Sequence, residues 1–166
     1  MLYQEIFSWK AEKKEDNMRV YFFIFLFMQV ALPWMMILVM TVACFALGAI
    51  WHGPIFGKLW MRIHHGKDTF NNAEKRKAME GMWKIMLAEF VATFFMVVTL
   101  AFLIEMLPNM SGIHIAFLVW IGYVVPTMTS TVIWWGDAKK WMSTKIAVAS
   151  VWRLIGLLAT GYILTL

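Results

Sequence analysis

The chain has 166 residues, of which 61% are hydrophobic and 16% are aromatic. Because soluble domains are only about half apolar, this composition excludes an ordinary soluble domain and predicts a helical membrane bundle. The net charge of +5 comes from Lys and Arg in loops beside apolar segments, a distribution typical of membrane orientation and not of a nucleic-acid-binding face.

The N-terminal part of the chain is a polar arm followed by an apolar segment, Val20–Ile50, that is too long for one crossing. A span needs about 20 residues, whereas this segment would form a helix of roughly 46 Å. Pro33 divides it, because proline removes a helical hydrogen bond and kinks the axis. We predict a polar arm with a tilted or interfacial apolar helix over residues 1–32, and a first span over about 33–51. A re-entrant hairpin that turns at Pro33 is the alternative.

Three further apolar segments follow, and each has the length of one membrane crossing. They cover about 83–107, 113–134 and 146–166. The predicted fold class is therefore an all-α integral membrane protein, in which residues 33–166 form a four-transmembrane-helix bundle and the N-terminal helical segment is an addition.

Basic residues predict the orientation of the bundle. Loop 52–82 contains six Lys or Arg and loop 135–145 contains three, whereas the turn at 108–112 contains none. Because cytoplasmic loops are enriched in Lys and Arg, both basic loops are predicted to be cytoplasmic and the turn and the C-terminus to be outside. Four spans then place the N-terminal arm outside, although it carries four basic residues of its own.

The end of the first span reads WHGPIFGKLW, residues 51–60. Trp51 and Trp60 are typical of a membrane interface, where the indole ring is apolar and its N–H is hydrated. Gly53 and Pro54 predict the end of the helix. The motif is either a structural anchor that positions the helix at the membrane interface, or the edge of a functional site.

This stretch resembles the signature of domain of unknown function family 1761, whose members are small four-span bacterial membrane proteins. The likeness covers roughly residues 33–166 and implies a multi-pass protein of the bacterial cytoplasmic (inner) membrane with no assigned activity. His52 stands where the family commonly has tyrosine, so no role for a phenol is carried over. The matching residues are Gly48, Trp51, Pro54, Phe56, Gly57 and Trp60 near the first span, and Trp120, Gly122, Tyr123, Pro126 and Thr127 in the third.

Ionisable residues inside apolar spans are costly and are functional hypotheses by default. Glu89 and Arg153 lie at similar depths, roughly 9–10 Å from the cytoplasmic ends of the second and fourth spans. We therefore predict that they face each other and form an ion pair. The pair is either a structural lock between helices or part of a ligand or proton site. The candidate intramembrane polar layer comprises His52, Glu89, Thr127, Ser130 and Arg153.

The histidines and the cysteine of the chain do not form a catalytic or metal-binding pattern. Adjacent His64 and His65 would point about 100° apart on a helix, and the single Cys44 excludes a cysteine-rich site. We predict no catalytic residues, no metal and no cofactor, and hence a non-enzymatic protein. We expect it to lie in the lipid bilayer and not to bind nucleic acid. We also expect it to form a homo-oligomer or to be an accessory subunit of a larger membrane complex. The alternative is a small oligomeric transporter or channel-like module that uses Glu89 as a proton or cation site.

Overall fold

The computed structural model describes residues 32–65, 69, 71–134 and 139–166. The N-terminal arm and the predicted tilted or interfacial helix before Leu32 lie outside the described residues. Regular secondary structure in the described part is helical throughout. The helices are α1 (Trp34–Ile50), α2 (Gly57–His65), α3 (Asn72–Met79), α4 (Met82–Met106), α5 (Gly112–Val119), α6 (Val125–Trp134) and α7 (Met142–Ile163).

Four helical stretches are long and apolar enough to cross a membrane. We call them the first to fourth spans, and they comprise Trp34–Ile55, Met82–Met106, Gly112–Trp134 and Lys139–Ile163. Three of them agree with the predicted segments to within a few residues. The fourth begins at Lys139, although the sequence predicted a start near 146, because the helix extends through basic residues before its apolar run.

Short helices occupy much of the stretch that the sequence treated as a loop between the first two spans. Helices α2 and α3 lie there, so the first and second spans meet at what we call the α2–α3 end of the bundle. The opposite end contains the short turn before α5. Ser111 caps α5 at that turn, where its side-chain oxygen accepts the backbone N–H of His114 at 3.4 Å.

The first and third spans each contain a π-helical turn, Trp51–Ile55 and Trp120–Val124. In the first of these turns the backbone N–H of Phe56 donates to the carbonyl of Trp51, five residues back, at 2.9 Å. Pro54 lies inside the turn and the helix ends at Ile55, one residue after this proline. The wider turn suits proline, which has no N–H to donate.

The fourth span packs against the other three and forms the centre of the bundle. Glycines allow the close approach that association of helices in a membrane requires. Gly156 lies against Cys44, whose Sγ donates to the Gly156 carbonyl at 3.6 Å. At the opposite end, Gly112 and Gly161 bring the third and fourth spans into backbone contact.

Apolar side chains fill the half of the bundle next to the short turn. Leu100, Ile115, Ala116 and Leu157 are almost fully buried there, between the second, third and fourth spans. This half is closely packed. The cavity described below lies in the other half, toward the α2–α3 end.

The contact between Gly112 and Gly161 generates the first prediction. A Cβ added at Gly161 would overlap the carbonyl oxygen of Gly112, so Gly161→Ala should lower the free energy of unfolding by about 1–3 kcal/mol. Gly122→Ala is the matched control, because a Cβ there meets nothing within 4 Å. Chemical unfolding of both variants in mild detergent measures the difference, and equal stability of the two would contradict the proposed close contact.

Candidate functional site

A cavity of about 460 Å³ lies in the half of the bundle toward the α2–α3 end. All four spans and α2 contribute side chains to its wall. Its size is within the range of small-molecule sites, about 300–1,000 Å³. Most of the wall is apolar, and the polar groups described below project from it.

The predicted ion pair forms part of this wall and joins the second and fourth spans. Arg153 Nη2 donates to Glu89 Oε1 at 3.1 Å, which confirms that the two residues face each other. Arg153 Nη1 also donates to the backbone carbonyl of Ala149 at 2.8 Å. The side chain of Arg153 is 21% exposed and that of Glu89 is 43% exposed, so the carboxylate is the more accessible partner.

His52 lies between two tryptophans of the wall. Its ring centroid is 5.0 Å from that of Trp60 and 5.9 Å from that of Trp152, with edge-to-face geometry in both cases. His52 Nδ1 and Trp152 Nε1 are buried and have no hydrogen-bond partner in the described part of the chain. Buried polar atoms without partners are few in native structures, so these two nitrogens require an explanation.

A second cation, Lys145, lines the cavity nearer the start of the fourth span. Its residue exposure is only 7%, and its Nζ lies 5.9 Å from the centroid of the Trp60 ring. Sequence reasoning missed Lys145 because it precedes the apolar run. Its spacing of seven and eight residues from Trp152 and Arg153, which places it toward the same side of a helix, was the available signal.

The five residues of the predicted polar layer are not all brought together. His52, Glu89 and Arg153 line the cavity. Thr127 and Ser130 are exposed and lie outside its wall, and Thr127 Oγ1 donates to its own helix, to the carbonyl of Tyr123 at 2.6 Å. Thr131 is the hydroxyl residue of the third span that reaches the cavity.

Several residues of the motif at the end of the first span make contacts inside the bundle. Trp51 Nε1 donates to the carbonyl of Val148 at 2.9 Å, and its ring lies 4.7 Å from that of Phe56. Gly48 faces the ring of Trp152, and a Cβ at Gly57 would lie 3.0 Å from the carbonyl oxygen of His52. Pro54 is exposed. The two glycines therefore admit a close approach that a larger side chain would prevent.

Trp120 of the third span, like Trp51 of the first, donates its indole N–H to a backbone carbonyl of the fourth span. Trp120 Nε1 donates to the carbonyl of Ser150 at 2.9 Å. Each π-helical turn thus begins at a tryptophan that is hydrogen-bonded to the fourth span. These two bonds position the first and third spans around the cavity.

We infer that the cavity opens at the side, between the second and third spans. Helix α4 packs against α5, in the half of the third span near the short turn, and has at most marginal contact with α6. Ile85 on α4 is 67% exposed and Ile133 on α6 is 54% exposed. Glu89 and Thr131 line the cavity from these two helices; the side chain of Glu89 is 43% exposed and Thr131 is exposed, in agreement with such an opening.

The side chains of this wall supply charge and hydrogen-bond donors. Among the residues that the structure describes, no three His, Cys, Asp or Glu side chains are grouped so that they could hold a metal ion. The arrangement is suited to holding a small molecule through a polar end and an apolar body.

The second prediction concerns the ion pair. Glu89→Gln and Arg153→Met should each lower the free energy of unfolding, because each leaves an unpaired group. The loss should fall between roughly 1 kcal/mol for an exposed pair and about 3–5 kcal/mol for a buried one, because Glu89 is partly exposed.

The double variant should lose less than the sum of the two single losses, since it leaves neither charge unpaired. A double-mutant cycle by thermal or chemical unfolding measures this coupling. Simple additivity would show that the contact contributes nothing to stability.

Comparison with known proteins agrees with the resemblance seen in the sequence. The model of a family described as a protein of unknown function (DUF1761) matches residues 35–165. Neither a curated protein nor a solved structure matches the chain.

Proposed function

Because the chain belongs to the DUF1761 family of proteins of unknown function, we propose its role from its geometry: a non-enzymatic integral membrane protein that binds a small apolar or amphiphilic molecule between its spans. The observation that carries this proposal is the cavity of about 460 Å³ with an ion pair in its wall. A charged pair in an apolar span is costly, and groups of this kind usually serve a ligand, an ion or a proton.

The membrane location rests on the four spans and on what they expose. Large apolar side chains cover the outside of the bundle, among them Met35, Trp83, Phe95, Tyr123 and Trp134. Apolar patches of this extent are unfavourable in water and favourable in lipid. We assign the protein to the bacterial cytoplasmic membrane, with the α2–α3 end and residues 135–145 on the cytoplasmic side.

Binding to a partner protein or to further copies of the chain is compatible with this role. The exposed apolar surface is large for a bundle of this size, which supports the hypothesis of a homo-oligomer or an accessory subunit. A transport role is the second candidate function. The side opening and the accessibility of Glu89 favour it, since a transported molecule must enter and leave.

The third prediction tests whether the cavity binds anything. Three probes with the same chain length, dodecanoate, dodecanol and dodecylammonium, differ only in their head groups. In phosphatidylcholine nanodiscs at least one of them should raise the Tm of the protein, because a ligand present at about 100 times its Kd adds about 2.7 kcal/mol of stability.

Thr131→Trp should abolish this rise by filling the cavity. Thr127→Trp is the matched control: both threonines are exposed and both bond their own helix, but only Thr131 lines the cavity. An equal rise in Tm in wild type and in Thr131→Trp, or no rise with any probe, would refute the binding role.

The fourth prediction concerns topology. Lys58→Cys in α2 should be protected from an impermeant maleimide in intact bacteria, whereas Asn109→Cys in the short turn should be labelled. Permeabilised cells should label both, and the parent chain controls for Cys44, which is buried. Labelling of Lys58→Cys in intact cells would reverse the assigned orientation. Ser8→Cys reports on the arm: labelling in intact cells places it outside, and protection favours the hairpin at Pro33.

A further inference from the structure

We propose that the ligand of the cavity is an uncharged amphiphile whose hydroxyl head group donates a hydrogen bond to Glu89, with its apolar chain along the rest of the wall. A long-chain alcohol is the simplest molecule of this class. This inference rests on the proposed function, because it names the ligand class of the same cavity.

The cationic and N–H groups of the wall are largely covered by the protein itself. Both terminal nitrogens of Arg153 already donate to oxygen atoms of the protein, and its side chain is 21% exposed. Lys145 is only 7% exposed. His52 Nδ1 and Trp152 Nε1 are buried. These groups therefore offer little surface to the head group of a ligand.

The more accessible polar side chains of the wall present oxygen acceptors. The side chain of Glu89 is 43% exposed. Its Oε1 accepts from Arg153, and its Oε2 accepts no hydrogen bond within the part of the chain that the structure describes. Thr131 is exposed too, and its hydroxyl already donates to the carbonyl of Thr127 at 2.9 Å. A ligand at this wall meets lone pairs, so the ligand must supply the donor.

The ion pair makes an uncharged donor a better fit than a charged head group. A carboxylate would be repelled by the carboxylate of Glu89. An ammonium at Oε2 would lie close to the guanidinium of Arg153, which is 3.1 Å from the other oxygen of the same carboxylate. Both repulsions are stronger in an apolar surrounding than in water, because the effective dielectric constant is lower there. A hydroxyl can donate to Oε2 and leave the ion pair intact.

Apolar side chains make up most of the remaining wall. Phe45 and Ala49 contribute from the first span, Ile85 and Met86 from the second, and Met128 from the third. A molecule with one small polar end and one apolar chain matches this distribution. Such a molecule partitions into the bilayer, and the inferred side opening gives it a route from there to the cavity.

The experiment uses the full chain in phosphatidylcholine nanodiscs, at a pH where dodecanoate is ionised, with the same three probes and the methyl ether of dodecanol. The ether keeps the chain and the acceptor oxygen of dodecanol but has no hydrogen to donate. The rise in Tm with the amount of probe in the bilayer gives the relative affinities. Dodecanol should bind most tightly, and about tenfold or more tighter than its ether, the usual size for a hydrogen bond to a charged group.

Glu89→Gln tests the acceptor. The preference for dodecanol over its ether should fall to roughly threefold, because a hydrogen bond to a neutral amide is about half as strong as one to a carboxylate. Comparison of two probes in one variant cancels the stability that the broken ion pair costs. Glu105→Gln is the matched control, because Glu105 is also exposed on α4 but lies outside the cavity wall. It should keep the full preference.

Each other outcome has a distinct meaning. Tightest binding of dodecanoate or dodecylammonium would overturn the uncharged assignment while the binding cavity stands. Equal binding of dodecanol and its ether, or an unchanged preference in Glu89→Gln, would show that no hydrogen is donated to Glu89 and would overturn it too. If Glu89→Gln fails to fold, the order of the four probes in the wild type still decides. Absence of binding by all probes would refute the proposed function itself.

Discussion

Three successive backbone carbonyls of the fourth span accept hydrogen bonds from side chains. Val148 accepts from Trp51 of the first span, and Ser150 accepts from Trp120 of the third. Between them Ala149 accepts from Arg153, which also bonds the second span through Glu89. Each carbonyl oxygen has a second lone pair beyond the one that its own helix uses, and in apolar surroundings a side-chain donor must find such an acceptor. This stretch of about one turn therefore fixes the position of all four spans.

That arrangement also explains why the bundle contains a cavity. The indole N–H groups of the two tryptophans bond the first and third spans to the fourth. At the other end of the bundle, glycines bring the third and fourth spans into contact. In the part of the chain that the structure describes, the second span meets the third mainly through α5. The bundle is consequently closed and apolar near the short turn and open near α2. Charged residues are tolerated in the open half because they pair with each other and with aromatic faces.

Much of the fold was accessible from the sequence, because apolar length alone sets the approximate limits of a span. Similar depth along two spans was enough to pair Glu89 with Arg153. The rest of the site was less accessible for two physical reasons. Lys145 lies before the apolar run, so a hydropathy criterion places it in a loop. Thr131, and not Thr127 or Ser130, reaches the cavity, and hydropathy does not distinguish between hydroxyl residues of one span.

The two π-helical turns have a consequence for which side chains the spans present to their surroundings. Such a turn holds about one residue more than an α-helical turn, so the side chains beyond it are displaced by roughly 100° around the axis. The third span therefore shows one stripe to its neighbours before Trp120 and another after Val124. The outward-facing stripe changes side near the middle of the span. The side chains that face outward can then differ in character between the two halves of the span.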